Sequence, residues 1–423
     1  MKRLIRNGQV LIDGRLQAKE VLFDETGILK IADHIEGEYE ILDAEGLAVL
    51  PGLIDVHVHF RQPGRETKET IRTGSLAAAH GGFTTVLAMP NVIPSPDTEE
   101  IMKSYLDLIQ KESLVHTYPY GTISKQEAGK ELSDLEGMNK LGIRWFSDDG
   151  TGLNNEKVMK QALAFTKEHN CIVAAHTEDL KYRPQGASVH EAPFAKEHGW
   201  IGIPSACESE PLKHDLAIAK ETGGRYHACH ISAQSSVEAL RQAKKEGVDC
   251  SAEVTAHHLL LENTDVRGTS WKMNPPLRSH EDRMALIEGL EEGTLDFIAS
   301  DHAPHTFEDK DKPMSKAAFG IVSLETSFAL LYTEFVYRQK RWTLGQLVNW
   351  MSTAPAQRFG FTNKGRIQEG YDSDLVLIRL NHENTIHKEN FLSKGKNTPF
   401  DGWTVMAEIA ETIVNGKTIW RQK

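Results

Sequence analysis

Residues 51–61 read PGLIDVHVHFR, an apolar run that gives way to polar side chains at its end. In an extended chain successive side chains alternate faces, so His57, His59 and Arg61 point one way while Val58 and Phe60 point the other. Two imidazoles on one face of a strand can bind one metal ion. Taken singly, this run is equally compatible with metal binding and with two unrelated polar residues on a strand. The rest of the sequence has to distinguish these two interpretations.

Seven further apolar runs follow along the middle of the chain. With the first, they cover residues 51–58, 83–89, 114–120, 142–147, 171–175, 225–229, 248–255 and 295–299. Amphipathic stretches with helical spacing, such as Glu156–Glu168 and Ser236–Lys245, separate most of them. Eight strands with crossover helices predict an α/β chain with a parallel (β/α)8 barrel of the TIM type over residues 51–364.

The two ends of the chain follow a different pattern. Residues 1–50 alternate apolar and polar side chains in short bursts between turn signals such as Asp13-Gly14, and residues 365–423 are similar. Strand-rich ends around a different middle predict that residues 1–50 and 365–423 together form one small β-sandwich domain.

Imidazole and carboxylate groups also end the later runs. His176 follows the fifth run, His230 the sixth and Asp301 the eighth. Catalytic groups of such barrels lie at the carboxyl ends of the strands, where these side chains would meet His57 and His59. Imidazole and carboxylate are ligands that divalent zinc accepts, so the set predicts a zinc site.

Asp149 follows the fourth run, where its two oxygens could bridge two zinc ions. An Asp-Gly pair is also common in turns that have no chemical role, and that alternative holds for Asp149-Gly150 taken singly. Two ions would hold a shared hydroxide that attacks a carbonyl carbon, and Asp301 would shuttle the proton to the leaving nitrogen. The alternative for Asp301 is a purely structural ligand.

Charge counting indicates an anionic substrate. Two zinc ions bring four positive charges, and the negative charges of Asp149, Asp301 and the hydroxide neutralise three of them. Arg61 adds to the positive remainder and could bind a substrate carboxylate through two parallel hydrogen bonds.

Composition excludes several classes of protein. The 423 residues carry a formal net charge of −12, which disfavours sequence-independent nucleic-acid binding and docking on anionic membranes. Cys171, Cys207, Cys229 and Cys250 show no CxxC spacing, as expected of reduced, mostly buried thiols. With no apolar run of the length that a signal peptide or a spanning helix needs, the sequence predicts a cytoplasmic protein.

The sequence resembles the class I dihydroorotases of the amidohydrolase superfamily over its whole length. The residues that carry the resemblance are PGLIDVHVHFR at 51–61, MPN at 89–91, FSDDG at 146–150, KMNPPLR at 272–278, SDHAPH at 300–305 and AFG at 318–320. The HxH step marks only the superfamily, whereas the HFR, MPN, SDDG and MNPPLR group is specific. The resemblance implies interconversion of dihydroorotate and N-carbamoyl-L-aspartate in de novo pyrimidine (UMP) biosynthesis.

The resemblance also implies roles for single residues. Its metal ligands, for one or two Zn²⁺ ions with two favoured, correspond to His57, His59, Asp149, His176, His230 and Asp301. Its substrate contacts correspond to His59, Arg61, Asn91, Asn274, His305, Phe319 and Gly320. Arg61, Asn91 and His305 would hold the ring carboxylate, and Asn274 with the 319–320 backbone would hold the ring amide edge.

Two pairs of histidines compete for these roles. The family's His-x-Ser step matches His230-Ile231-Ser232 and leaves out His227, which on an extended strand would face the opposite way. Of His302 and His305, only His305 matches a substrate contact. The charged segment 306–317 is compatible with a moving lid and, equally, with a plain solvated loop.

Other activities remain as alternatives. Hydantoinases and allantoinases are similar but carry a modified lysine at the fourth strand, where this chain has Trp145-Phe146-Ser147-Asp148-Asp149. A non-catalytic homologue that serves as a scaffold is a further alternative, although every expected ligand position is filled here. The family makes a homodimer plausible, and association with aspartate carbamoyltransferase is a further expectation drawn from relatives.

Overall fold

A computed structural model describes residues 2–422 of the chain. Its strands are β1 (Arg3–Arg6), β2 (Gln9–Ile12), β3 (Arg15–Ala18), β4 (Glu20–Asp24), β5 (Gly27–Ala32), β6 (Glu40–Asp43), β7 (Ala48–Pro51), β8 (Leu53–Val58), β9 (Phe83–Ala88), β10 (His116–Pro119), β11 (Trp145–Phe146), β12 (Ile172–Ala175), β13 (Val189–His190), β14 (Gly202–Ile203), β15 (Tyr226–Ala228), β16 (Cys250–Thr255), β17 (Phe297–Ala299), β18 (Leu375–Thr385), β19 (Thr404–Val414) and β20 (Lys417–Arg421). All eight predicted central strands are present, each within about three residues of its predicted bounds.

The central strands are parallel and lie in two sheets. One sheet has the order β10-β9-β8 and the other the order β11-β12-β15-β16-β17. Single parallel bridges join the sheets at both edges, Gly121 to Phe146 and Val58 to His302. The carboxyl ends of all eight strands therefore gather on one side, and the predicted mixed α/β class is confirmed.

Helices follow most of these strands. They are α1 (Ile71–His80), α2 (Glu99–Glu112), α3 (Leu135–Lys140), α4 (Glu156–His169), α5 (Pro193–Glu197), α6 (Ala206–Thr222), α7 (Gln234–Lys245), α8 (Ala256–Leu260), α9 (His280–Glu291), α10 (Phe307–Lys310), α11 (Ser327–Leu331), α12 (Leu344–Val348) and α13 (Ala354–Phe359). Helix α4 shows why they form where they do: the Asn155 side chain caps its first turn, and Asn170 ends it with a left-handed φ of 53°.

Strands from the two chain ends share a sheet. In the six-stranded sheet β20-β19-β18-β7-β2-β3, strand β18 pairs antiparallel with β7 in the register Leu375 to Pro51. A four-stranded sheet, β5-β4-β1-β6, comes wholly from the N-terminal part. Buried apolar residues including Phe23, Leu377 and Ile413 form a separate small core there. Strands from both ends of the chain therefore share one sheet, while the small β-sandwich domain of residues 1–50 and 365–423 stays a prediction.

The cysteines and the helices bear on two expectations drawn from composition. All four cysteines are buried free thiols. Within residues 2–422, no helix has both the length and the apolar character needed to cross a bilayer.

Candidate metal centre and active site

Histidines and aspartates from five strand ends converge on one point. His57 Nε2 lies 3.4 Å from Asp149 Oδ1 and 3.5 Å from Asp301 Oδ1. His59 Nε2 lies 3.1 Å from Asp301 Oδ1, and His230 Nε2 lies 3.5 Å from Asp149 Oδ1. The potential ligand atoms of His57, His59 and Asp301 lie within 4.8 Å of one another, as do those of His57, Asp149 and His230. The structure therefore brings together two overlapping ligand sets that share His57.

Two ligand atoms at this point lack a hydrogen-bond partner. Buried His57 Nε2 and Asp149 Oδ1 have none among residues 2–422. A buried polar atom without a partner carries a desolvation cost of about 1–3 kcal/mol, which a cation at these lone pairs would offset. The donor set, imidazole and carboxylate, is the one that zinc accepts, so these residues fit a divalent metal.

The backbone is strained at two of these positions. His230 has a φ of 32° and Asp301 a φ of 47°, both in the left-handed region that non-glycine residues avoid. Such residues cost about 1–3 kcal/mol each and cluster at functional sites. The strain turns both side chains toward the same cluster immediately after β15 and β17.

The two aspartates stay ionised in this environment. Burial would raise the pKa of Asp301, but the His59 hydrogen bond and the nearby charges of His57 and His59 hold it below its usual value. For Asp149 as well, burial opposes ionisation, and the charge of His57 and the close imidazoles of His230 and His59 hold its pKa well below the ordinary value. Both carboxylates are therefore in the form that binds cations.

His176 lies at the edge of the cluster. Its Nδ1 lies 2.9 Å from His230 Nε2 and 3.6 Å from Asp149 Oδ1, while its Nε2 lies 3.3 Å from Glu178 Oε2. The structure thus places all six expected ligands together, although the rings of His176 and His230 contact each other directly.

The competing residues are engaged elsewhere. His227 contacts Ser251 Oγ and Glu253 Oε2 at 2.9 and 3.0 Å, and the other oxygen of Glu253 contacts His57. His302 Nδ1 accepts the Ser323 N–H at 3.2 Å. Asp148, beside Asp149, accepts the N–H of Ile123 at 2.8 Å and that of Ser124 at 3.0 Å. Its carboxylate is therefore occupied by hydrogen bonds to the backbone.

Five of the six expected metal ligands line a cavity of about 360 Å³. Every substrate contact expected from the sequence lines it: His59, Arg61, Asn91, Asn274, His305, Phe319 and Gly320. Asn91 Oδ1 lies 3.1 Å from His59 Nδ1, and Asn274 Nδ2 donates to Glu178 Oε2 at 3.1 Å. Buried Arg61 Nε has no partner in the described chain, which suits a site for an anion.

His305 has less freedom than the sequence suggests. Its Nε2 donates to Phe319 O at 2.6 Å, and Lys68 Nζ lies 3.2 Å from its Nδ1. Both ring nitrogens are therefore engaged within the chain. A contact to a substrate carboxylate requires that one of them exchange its present partner.

Sequence reasoning missed several residues of this site. Glu253 in β16 is fully buried, and its Oε1 lies 2.6 Å from His57 Nδ1, which directs the other ring nitrogen of His57 toward the cluster. Glu178 accepts a hydrogen bond from Arg183 at 2.7 Å, and both line the cavity with Arg65 and Glu127. A carboxylate inside an otherwise apolar run, as at Glu253, was the available signal, because a buried charge needs a partner.

The segment 306–317 is more ordered than the alternative of a plain solvated loop implies. It contains α10, and the side chain of Lys310 is buried beneath the cavity wall. Phe307, in contrast, is 76% exposed. Movement of this segment as a lid stays a prediction.

Comparison with known proteins identifies the family of the chain. A family model described as dihydro-orotase-like matches residues 46–236. The chain is similar to the Dihydroorotase of Bacillus licheniformis, with 47% identity over 429 residues that cover 100% of this chain and 99% of that protein. The Dihydroorotase of Halalkalibacterium halodurans is 45% identical over 427 residues, with coverage of 100% and 99%.

Solved structures show the same overall fold. An L-hydantoinase (dihydropyrimidinase) from Arthrobacter aurescens is 26% identical and superposes with a TM-score of 0.88, covering 98% of this chain and 95% of that one. A dihydropyrimidinase from Brevibacillus agri NCHU1002 is 23% identical with a TM-score of 0.87, covering 100% and 95%.

Proposed function

Since the chain belongs to the dihydroorotase family, we propose that its cavity interconverts dihydroorotate and N-carbamoyl-L-aspartate in de novo pyrimidine biosynthesis. The observation that carries this proposal is the convergence of two carboxylates and four imidazoles on one cavity that also holds the unpaired cation Arg61. Ring opening adds water across a C–N bond of a cyclic amide, and the site offers groups for each part of that reaction.

We assign the chain to class I within this family. Support comes from the HFR, MPN, SDDG and MNPPLR motifs, whose residues line or border the cavity. We also propose that the eight parallel strands close into a (β/α)8 barrel over residues 51–364, which the two edge bridges support. Residues 1–50 and 365–423 would then form the small β-sandwich domain.

We propose two zinc ions, held by His57, His59, Asp149, His176, His230 and Asp301. The overlapping ligand sets around His57 support two neighbouring positions. Bound zinc would polarise the substrate carbonyl and would lower the pKa of a bound water to near neutrality. His176 and His230 would have to separate, because a nitrogen contact of 2.9 Å leaves no room for an ion between them.

Asp301 carries the proton in this proposal. Its Oδ1, 3.1 Å from His59 Nε2, accepts the proton released by the attacking water as the new C–O bond forms. The same oxygen then returns the proton to the ring nitrogen as the C–N bond breaks. The ionised state of Asp301 at neutral pH is the form required of a base.

Arg61 and Asn91 would orient the substrate through its carboxylate. The Arg61 guanidinium is buried, so a paired anion would be bound in a medium of low dielectric, where charge-assisted hydrogen bonds are strong. His305 lies in the same wall. Asn274 and the backbone of Phe319 and Gly320 would hold the amide edge of the ring.

Turnover of alternative cyclic amides tests the proposed function. The purified zinc-loaded protein is assayed with dihydroorotate, hydantoin and allantoin under the same conditions. We expect turnover of dihydroorotate, because only that ring carries a carboxylate for Arg61. Turnover of hydantoin or allantoin without dihydroorotate would contradict the assignment, and a protein that binds no metal would favour the scaffold alternative.

Association states remain part of the proposal. We expect a cytoplasmic homodimer and, from its relatives, association with aspartate carbamoyltransferase. Sedimentation of the purified chain with and without the carbamoyltransferase would test both associations.

A further inference from the structure

Lys310 ends helix α10 with its ammonium group inside the protein. Its side chain is buried, with 6% of the residue exposed. Its Nζ donates to three backbone carbonyls, Lys272 O at 3.0 Å, Ala318 O at 2.9 Å and Gly320 O at 2.9 Å. An ammonium has three N–H donors, so these three acceptors match it one to one.

The three carbonyls belong to the segments that carry proposed substrate contacts. Lys272 stands two residues before Asn274, and Ala318 and Gly320 flank Phe319. The two segments are also joined directly, since the Gly320 N–H donates to Lys272 O at 3.0 Å. Lys310 therefore lies at the junction of both groups that would hold the amide edge of the ring.

The carbonyl side of the 318–320 loop is fully used within the protein. Besides the two carbonyls that Lys310 binds, Phe319 O accepts from His305 Nε2 at 2.6 Å. The N–H groups of Ala318 and Gly320 donate to Asp309 O and Lys272 O, each at 3.0 Å. Across the described residues, the Phe319 N–H is the one amide of these three without an acceptor, so it is the donor left for a ligand.

The buried position of Lys310 is unfavourable for a charged group. Burial and the neighbouring charge of Lys272 lower the pKa of Lys310 to about 7. All three of its partners are neutral carbonyls rather than a carboxylate. An apolar residue would avoid the desolvation cost, but it would leave the three carbonyls to find other donors.

We infer that Lys310 is a positioning residue for substrate binding: its buried ammonium joins the Asn274 segment to the 318–320 loop and directs the Phe319 N–H into the cavity. The inference rests on the proposed function for the identity of the ligand. The C-terminal residue of helix α10 thus acts as a fixed clamp between the Asn274 segment and the 318–320 loop. Gly320 makes the loop shape possible, since its φ is 128° and a Cβ there would lie 2.7 Å from Ala303 Cβ.

The test compares Lys310→Met with Lys312→Met, a matched control because Lys312 is an exposed lysine of the same segment. For Lys310→Met we expect the KM for dihydroorotate to rise about tenfold or more, while kcat stays within about threefold and zinc content is unchanged. Lys310→Arg, which keeps a charged donor, should recover part of the KM. A KM in Lys310→Met equal to that of the control would overturn the inference.

Hydrogen exchange tests the clamp without relying on turnover. The protected amides of Ala318 and Gly320 should exchange faster in Lys310→Met than in Lys312→Met, and unchanged rates would overturn the inference. If wild-type protein fails to turn over dihydroorotate, the proposed function fails while this measurement still decides the clamp. Should Lys310→Met not fold, Lys310→Gln, which keeps two N–H donors, is measured in its place with the same two expectations.

Discussion

In the proposed function, Asp301 is both a metal ligand and the proton carrier. Asp301→Asn keeps the shape of the group and one oxygen but removes the basic form, so we expect turnover of dihydroorotate to fall by about 10²–10⁴-fold. The four histidines remain, so bound zinc should stay close to the wild-type amount. Steady-state kinetics and metal analysis on the same samples provide the check, with exposed Asp311→Asn as the control. Near-normal turnover would refute the role as proton carrier.

Glu253 supports the site from behind His57. Its Oε1 contacts His57 Nδ1 and accepts the His230 N–H at 3.2 Å, while its Oε2 contacts His227. Such carboxylate partners fix the tautomer of a ligating imidazole, and their loss commonly lowers metal affinity by about 10–100-fold. We expect Glu253→Gln to show that loss in competition with a chelator. Exposed Glu246→Gln should not, and equal affinities in the two variants would exclude the supporting role.

At this scale the sequence predicted the residues that converge in the cavity better than the residues that support them. His57 and His59 could be predicted because alternation along a strand is a local property of the chain. Glu253 could not be predicted, because its role depends on two tertiary arrangements. Strand β16 lies beside β15, which precedes His230, and β8 of the other parallel sheet brings His57 within reach. Asn91 and Asn274 were predicted only through family resemblance, since each is also an ordinary turn residue.

At the scale of elements, long periodic segments were predictable and short ones were not. Helices α4 and α7 match their predicted spans within about two residues because their apolar spacing is a local signal, and α4 also has the local Asn155 cap. The short pair β13 and β14 and the one-turn helix α10 are too brief to have a period. Their formation depends on tertiary contacts, such as those that Lys310 makes at the end of α10.

The contact between α6 and β15 contains a titratable group. Asp215 is buried and accepts the Tyr226 hydroxyl at 3.0 Å, and burial raises its pKa to about 8. The unfolded chain loses this proton near pH 4, whereas the folded protein keeps it to about pH 8, so stability falls as pH rises across that range.

Asp215→Asn removes the proton equilibrium but keeps an acceptor for Tyr226. We expect the variant to gain stability relative to wild type between pH 5 and pH 8, by more than about 1 kcal/mol. Urea unfolding at both values measures the difference. A constant difference between the two proteins at the two pH values would show that Asp215 is ionised in the folded state.

At the scale of the whole molecule, Asp374 connects the terminal strands to the parallel sheet. It stands immediately before β18, and its carboxylate lies 3.1 Å from His116 Nε2 in β10 and 2.5 Å from Lys364 Nζ. It also accepts the Asn415 N–H at 2.9 Å. These groups come from the central and the C-terminal parts of the chain, so the cluster holds the two together.

Asp374→Asn should therefore lower the free energy of unfolding of the whole chain. Removing one partner of a buried ion pair costs about 3–5 kcal/mol, reduced here because Asp372 also pairs with Lys364 at 2.7 Å. We expect a lower midpoint of urea unfolding with little change in KM, since the cluster does not line the cavity. An unchanged midpoint would mean that the cluster contributes no net stability.

The meeting of the chain ends could be predicted from pattern, but not its register. Turn signals such as Asp13-Gly14, with φ values of 50° and 76°, identify the local hairpin of β2 and β3. The pairing of β7 with β18 involves strands from opposite ends of the sequence. Nothing local in either strand specifies which residue faces which.

That pairing has a consequence for synthesis on the ribosome. Leu50 pairs with Val376, so one edge of β7 must wait for its neighbour until most of the polypeptide has been translated. A product that terminates early would display an unsatisfied, apolar strand edge, the kind of surface that recruits chaperones or aggregates. Translation products that end between Asp301 and β18 should therefore be removed by cellular quality control, although they already contain all six expected metal ligands.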